Sequence, residues 1–303
     1  MRVILVVVAC IGVYMISLVV IGPDATDLND TTALINLSNP LLPNWRNPLC
    51  ALHLTRGQPC QHCSMDNLHR NFDNQLTETL SNKSIALVGD SRIRYMFAYM
   101  RSMLDGRQVI LKKSRENFND TLHRDAQRNI QLAYYIRRYP DEAMRALLHE
   151  WRNATDANRI PHYVIMETGA WTVYFRGDAF VSEFRRNLTV VAKDCSALRN
   201  RTTIIWIRTL PMHDERLRVD PKWTHRRNGV ALTEQLGLLV AEVAREAGIV
   251  LWDAVYADSR EHIQLYDDIL HPGLALRRKA ACQLLYALDP RHCQCSSFAP
   301  LAF

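Results

Sequence analysis

The alternation of two kinds of apolar segment constrains this chain more than any other feature. Residues 84–89 (SIALVG), 130–136 (IQLAYYI), 163–166 (YVIM), 203–207 (TIIWI) and 249–252 (IVLW) are short, nearly uninterrupted runs rich in β-branched and aromatic residues. That is the composition of strands buried on both faces of a parallel sheet. Between them, residues 93–104, 141–151, 180–198, 230–247 and 274–288 place apolar side chains at helical spacing, with charges on the opposite side. Leu236, Leu239, Val240 and Val243 form the clearest such stripe. Strands and helices in strict alternation predict an α/β fold, a three-layer α/β/α sandwich around a five-stranded parallel sheet of the doubly wound, flavodoxin-like kind. Ligands in such sheets bind beyond the carboxyl ends of the strands, so the residues just after each strand are the first candidates for chemistry.

A chain of 303 residues, 48% apolar and 22% charged, can bury one α/β core of about 200 to 250 residues. Residues 3–22 contain no charge and, at about 1.5 Å per residue, match a bilayer core of about 30 Å. They are expected to form a signal-anchor transmembrane segment, with a cleaved signal peptide as the competing reading. Arg2 precedes this run, and Asp24, Asp27 and Asp30 follow it. The expected topology is therefore single-pass type II, in the Golgi or endoplasmic reticulum membrane with the bulk of the chain lumenal. Residues 23–48, with Asn, Asp, Thr and Pro but no sustained periodicity, suit a lumenal stem, and 49–303 a single folded catalytic domain.

The same compartment accounts for the sequons at Asn29, Asn36, Asn82, Asn119, Asn153, Asn187 and Asn200, which are candidate glycosylation sites. Outside the apolar run lie Cys50, Cys60, Cys63, Cys195, Cys282, Cys293 and Cys295. In an oxidising lumen this odd number reads as disulfides with one thiol left over or paired between chains. Cys60 and Cys63 with Cys293 and Cys295 could instead hold zinc, but the compartment favours disulfides, and no metal is expected. The net charge of +6 comes from arginines spread along the chain rather than from a basic block. Nucleic acid is thereby disfavoured as a partner, and an anionic or sugar-acid substrate fits better.

Gly89-Asp90-Ser91 ends the first strand, and a helical pattern begins at Arg92. Glycine permits a tight turn, and the Ser91 hydroxyl would sit at the positive end of the following helix, where developing negative charge is favoured. The other reading makes Ser91 an ordinary helix cap. Asp268-Ile269-Leu270-His271 lies between the fifth strand and the last helix, with Pro272-Gly273 as a helix-starting turn. Asp and His three residues apart in one loop can face one cleft. The carboxylate would fix the imidazole tautomer while the other ring nitrogen takes a proton from Ser91. Taken alone, the motif reads rather as a surface histidine beside an acidic turn, and the position of Ser91 at the other end of the strand order reverses that. His213, His225 and His262 sit in polar, loop-like contexts and call for no role.

The motif Gly89-Asp90-Ser91-Arg92-Ile93-Arg94, together with the late Asp268-x-x-His271, resembles the SGNH/PC-esterase group. Within that group it is similar to the lumenal catalytic domain of the animal sialate O-acetyltransferase and its fungal capsule-polysaccharide relatives. The resemblance runs from about Trp45 to Cys295, taking in a cysteine-bearing segment before the first strand, a Gly-x-Trp stretch after the third and clustered C-terminal cysteines. It implies an SGNH hydrolase fold with Ser91 as nucleophile, Asp268 as orienter and His271 as general base. An acetyl-Ser91 intermediate would be resolved by a glycan hydroxyl, sialic acid first, or by water. Acetyl-CoA would be the acetyl donor, with no bound cofactor.

The backbone of Ser91 and of Gly169, within Glu167-Thr168-Gly169-Ala170-Trp171, is the candidate oxyanion hole. Many SGNH enzymes place an Asn in that stretch, and this chain has none. Arg92 or Arg94 could therefore assist there or grip a substrate carboxylate, and Trp171 either lines the sugar site or serves structure alone. Two residues apart on a helix, the two arginines cannot both face the cleft, so the other should be solvated. The sialate enzyme continues into a multi-span membrane region, whereas this chain stops at Phe303 without a second apolar span. Three expectations follow: a separate membrane protein supplies the acetyl donor, or the domain acts alone as a glycan O-acetyl esterase, or the chain is a fragment. A glycan-binding pseudoenzyme is the remaining alternative.

Overall fold

A computed structural model of the chain describes residues 78–106, 119–176, 178–219 and 228–288, all within the compact unit Leu41–Phe303. The apolar run 3–22, the stem, the sequons at Asn29 and Asn36, His225, and all the cysteines named above except Cys195 and Cys282 lie outside the described residues. Among the described residues no helix is long and apolar enough to cross a membrane.

The elements follow in the order β1 (Ser84–Gly89), α1 (Ser91–Leu104), β2 (Thr121–Asp125), β3 (Ile130–Ile136), α2 (Glu142–Asn153), β4 (Tyr163–Met166), α3 (Ala170–Phe175) and α4 (Val181–Leu198). They continue with β5 (Thr203–Ile207), α5 (Asp214–Val219), α6 (Gly229–Glu246), β6 (Val250–Trp252), α7 (Ala254–Glu261) and α8 (Leu274–Leu288). The strands form one sheet in the order β2-β3-β1-β4-β5-β6. Its last five members are parallel, as expected.

The expected five-stranded, all-parallel sheet needs one correction. β2 pairs antiparallel with β3 and makes the sheet mixed and six-stranded. Its sequence, TLHRD, gives no apolar signal because an edge strand is held by backbone pairing alone. Leu122 is exposed, and no β2 side chain is fully buried. In the turn to β3, Asp125 accepts hydrogen bonds from the N–H groups of Gln127 and Arg128, and Asn129 takes a left-handed conformation (φ 53°).

Strand alternation builds two cores, one on each face of the sheet. Ile85 and Leu87 of β1, Ile165 of β4 and Ile205 and Ile207 of β5 join α1, α7 and α8 in one. Ala86, Val88, Val164, Met166, Ile204 and Trp206 join α2, α4 and α6 in the other. Helices thus cover both faces, giving the expected three layers. On α4 the inward residues Phe184, Leu188, Val191, Cys195 and Leu198 recur every three or four positions. Each such buried aliphatic contributes about 1.5–3 kcal/mol.

Cys195, fully buried, carries a free thiol that burial pushes up, so it is a core residue rather than a reactive one. Cys282 is disulfide-bonded. Of the sequon asparagines described, Asn82, Asn119, Asn153 and Asn200 are exposed. Asn187 is half-buried within α4, where the hydroxyl of its sequon Thr189 donates to the Arg185 carbonyl.

The sheet order positions the site. β1 lies between β3 and β4, so successive crossovers leave it in opposite directions and its carboxyl end is a topological switch point. Ser91 stands there.

Candidate active site

Gly89 ends β1 and Ser91 begins α1, leaving Asp90 alone to make the turn. Asp90 is the helix cap, its Oδ1 accepting from the Arg92 N–H at 2.9 Å. Ser91 is therefore the first helical residue and not the cap, which leaves its hydroxyl to other work. Gly89 answers to space. A Cβ there would stand 2.5 Å from the Glu167 carbonyl oxygen and 2.8 Å from Ile93 Cγ1, so the turns after β1 and β4 touch. The Arg137 N–H donates to the Gly89 carbonyl at 3.0 Å and brings the end of β3 to the same place.

The second half of the site is a closed loop. Gly273 N–H donates to the Leu265 carbonyl, Asp267 N–H to the His271 carbonyl, and Tyr266 pairs with Pro272 in an antiparallel bridge. Ile269 anchors this loop in the core, while its carbonyl accepts from the His213 N–H at 2.9 Å. His213 is thus buried and braces the loop, contrary to its expected place in a polar loop. The expected helix-starting turn is present, since Arg277 N–H, in the first turn of α8, donates to the Gly273 carbonyl.

This architecture brings Ser91, His271 and Asp268 together. His271 Nε2 lies 2.8 Å from Ser91 Oγ, and Nδ1 lies 2.9 Å and 2.8 Å from the two Asp268 oxygens. Asp268 Oδ1 also accepts from the backbone N–H groups of Leu270 at 2.8 Å and His271 at 2.9 Å. Burial alone would raise the Asp268 carboxyl, but the His271 hydrogen bond and charge and the two backbone donors outweigh it and hold it at about 2. Such a group stabilises the fold above its unfolded value of about 3.9, and that contribution fades as the pH falls toward about 2. Asp268→Asn should therefore be less stable than the wild type at pH 6, with the difference closing between about pH 4 and about pH 2. Chemical denaturation across that range measures it, and a difference indifferent to pH would contradict the assignment.

The second expected group falls into two parts. Gly169 has φ +123°, and a Cβ would meet the Thr209 side chain at 2.7 Å. It opens α3 beyond β4, next to β1, so its backbone stands at the same end of the sheet as the Ser91 N–H. That N–H is a first-turn donor without an acceptor in its own helix. Trp171 is half-buried, stacked on Phe175 (4.6 Å between centroids) and covered by the Arg138 guanidinium at 4.3 Å.

Arg92 departs from expectation. Its side chain is buried, donates to the Leu210 carbonyl at 2.7 Å and stands 3.4 Å from Glu167, so it neither meets solvent nor presents a fork to a substrate. Arg94 is half-buried, its guanidinium 5.6 Å from the Tyr95 ring.

Three residues of the neighbourhood were not singled out from sequence. Tyr95 sets its ring edge-on to His271 at 4.6 Å, and Arg277 covers Tyr95 at 5.0 Å while pairing with Asp267. Glu167, fully buried at the end of β4, has its carboxyl pushed up by burial and by the charge of Asp90. An acidic residue directly after a run as apolar as YVIM was the available signal for it. Among the described residues no cluster could hold a metal ion.

Residues 60–210 match the family model described as NXPE family member 4-like, C-terminal domain. That stretch is similar to the C-terminal domain of the NXPE family and makes up just under half of this chain. That match includes Ser91 and the loop after β4 but ends before Asp268 and His271. The chain is also 22% identical over 150 residues to the N-acetylneuraminate (7)9-O-acetyltransferase of Danio rerio. The match takes in 49% of this chain but spans only 18% of that relative's length. Among solved structures it is similar to an acetylxylan esterase from Geobacillus stearothermophilus (TM-score 0.42, 14% identity, 69% of this chain and 95% of that one). A member of the lipolytic G-D-S-L family from Veillonella parvula is similar at TM-score 0.43 and 12% identity, over 67% of this chain and 96% of that one.

Proposed function

We propose that this chain is an SGNH-type serine O-acyltransferase that moves an acetyl group through an acyl-Ser91 intermediate to a glycan hydroxyl, with sialic acid as the first acceptor to test. The observation that carries this reading is the continuous hydrogen-bonded line from Ser91 through His271 to Asp268. The partial similarity to a sialate O-acetyltransferase supports the choice of acyl group and acceptor.

In the proposed cycle, His271 Nε2 takes the Ser91 proton as Oγ attacks the acetyl carbonyl, while Asp268 holds the proton on Nδ1 and balances the imidazolium. The oxyanion forms against the Ser91 N–H and the first turn of α1, with the Gly169 backbone as the second candidate donor. The intermediate collapses by breaking the bond to the donor's sulfur or oxygen, and the proton on Nε2 passes to that leaving group. A sugar hydroxyl then gives its proton to His271 and attacks acetyl-Ser91, and the tetrahedral adduct releases Ser91 and the O-acetyl sugar. With water in place of the sugar, the same residues make an esterase, the second reading. We further propose acetyl-CoA as donor, delivered by a separate membrane partner, and a Golgi or endoplasmic reticulum address for a membrane-anchored domain.

Brief exposure of the full-length chain to acetyl-CoA, followed by intact-mass measurement, should show one acetyl group on Ser91, discharged on adding a sialylated acceptor. Discharge by water at the same rate with and without acceptor would favour the esterase. No acetyl on Ser91 from acetyl-CoA or from an activated acetyl ester would reject both.

A further inference from the structure

His271 is held at both ring nitrogens, Nδ1 by Asp268 and Nε2 by Ser91 Oγ. Hydrogen bonds at the two ends fix a ring along the line joining its partners but leave it free to tilt about that line. A third contact restrains the tilt. The Tyr95 ring stands 4.6 Å from the His271 ring between centroids, at an interplanar angle of 66°, the edge-to-face arrangement that aromatic pairs favour. Tyr95 follows Ser91 by one turn of α1, so hydroxyl and ring leave the same face of one helix. A single rigid element therefore presents His271 with both a hydrogen-bond partner and a surface to lean on.

Tyr95 is itself gripped by the elements that carry the base. The buried Arg277, in the first turn of α8, sets its guanidinium carbon 5.0 Å from the Tyr95 ring centroid and pairs with Asp267. Asp267 N–H donates to the His271 carbonyl at 2.9 Å, and Arg277 N–H to the Gly273 carbonyl at 3.1 Å. Arg94 approaches the same ring at 5.6 Å. The helix of Ser91, the closed loop of His271 and the start of α8 thus meet at one phenol ring.

We propose that Tyr95 is a positioning residue that keeps His271 aimed while Ser91 carries the acyl group. In the acyl intermediate Ser91 Oγ is bonded to the acyl carbon and has no proton to share, so the hydrogen bond that aimed Nε2 is gone. Having passed its proton to the leaving group, the imidazole keeps Asp268 at Nδ1 and Tyr95 against its ring. It must still meet the second hydroxyl. That hydroxyl gives its proton to Nε2 as its oxygen bonds to the acyl carbon. The bond from that carbon to Ser91 Oγ then breaks, and Nε2 returns the proton to Ser91. Ser91 aims the base for the first half of the cycle, and Tyr95 aims it for the second. The inference rests on the acyl-serine reading. Because the contact is made by the ring, phenylalanine preserves it and an aliphatic side chain does not.

The test mixes full-length wild type, Tyr95→Phe and Tyr95→Leu with an activated acetyl ester and follows intact mass after rapid quenching, so that gain and loss of acetyl on Ser91 are read separately. Wild type and Tyr95→Phe should behave alike. Tyr95→Leu should lose its acetyl group about tenfold more slowly or worse, while its gain slows by less, so that Ser91 stays acetylated at steady state. A merely structural role would slow both halves together. Equal slowing of gain and loss in Tyr95→Leu, no slowing at all, or a Tyr95→Phe as impaired as Tyr95→Leu overturns the inference.

A measurement on the wild type alone serves if Tyr95→Leu does not fold. A serine-directed fluorophosphonate leaves a phosphonyl group on Ser91 and likewise removes the Oγ proton. In that adduct, magnetisation transfer between isotope-labelled Tyr95 and His271 rings should persist as in the free protein, and its disappearance overturns the inference. A wild type that takes neither acetyl nor phosphonyl overturns the acyl-serine reading and this inference with it, whereas a wild type that takes both while Tyr95→Leu matches it overturns the role of Tyr95 alone.

Discussion

Ser91→Ala is expected to reduce turnover by about 10⁴- to 10⁶-fold while leaving the melting temperature close to that of the wild type. Ser91 is half-buried, and among the described residues its hydroxyl pairs with His271 alone, so its removal leaves little unpaired. His271→Ala should fall as far, and the double variant little further, because nucleophile and base act as one unit. Asp268→Asn should lose about 10⁴-fold by a different route. An asparagine oxygen could still accept from the Leu270 and His271 N–H groups, but its amide would face Nδ1 with a donor and favour the wrong imidazole tautomer. Steady-state hydrolysis of an activated acetyl ester measures all four. A loss of less than tenfold in Ser91→Ala would remove Ser91 from the mechanism.

Gly273→Ala should produce the largest combined loss of stability and activity among substitutions that leave the three reactive side chains unchanged. A Cβ at this position would lie 2.1 Å from the Leu265 carbonyl oxygen, a backbone atom that the Gly273 N–H already holds at 3.0 Å. No rotamer change can relieve that contact. Overpacking of this kind costs about 1–3 kcal/mol, and more where backbone must move. The movement would open the loop spanning residues 265–273, shifting His271 relative to Ser91, and a misplacement of about 1 Å can cost about 10²-fold in rate. Thermal denaturation and ester turnover should fall together, and reaction of Ser91 with a serine-directed fluorophosphonate should slow. Full activity in Gly273→Ala would show that the closed loop does not set the position of the base.

What could be read in advance divides along physical lines. The five parallel strands were legible because burial on both faces demands continuous apolar runs, and the long helices because one face must match a core. β2 was not, since Thr121–Asp125 contributes backbone pairing and little side-chain burial. The helices Ala170–Phe175, Asp214–Val219 and Ala254–Glu261 are too short to show a period. Ser91, Asp268 and His271 could be nominated because a glycine turn after a strand and an Asp/His loop before a helix are local patterns. The role of Arg92 was misjudged for the opposite reason. Local spacing places it beside Ser91, but its partners Glu167 and Leu210 come from the segments after β4 and β5, far along the chain.

Ser91 and His271, the proposed nucleophile and base, are 180 residues apart in the chain. A polypeptide still being synthesised can form β1, expose Ser91 and pair β3 and β4 beside it before the loop carrying Asp268 and His271 exists. During that interval the serine has no proton acceptor and is chemically inert. Long-range closure of this kind comes late in folding, because loop entropy opposes it until most of the sheet is in place. In the proposed mechanism, completion of the fold therefore switches on Ser91, and a chain interrupted after Glu261 would carry the proposed nucleophile without the means to activate it.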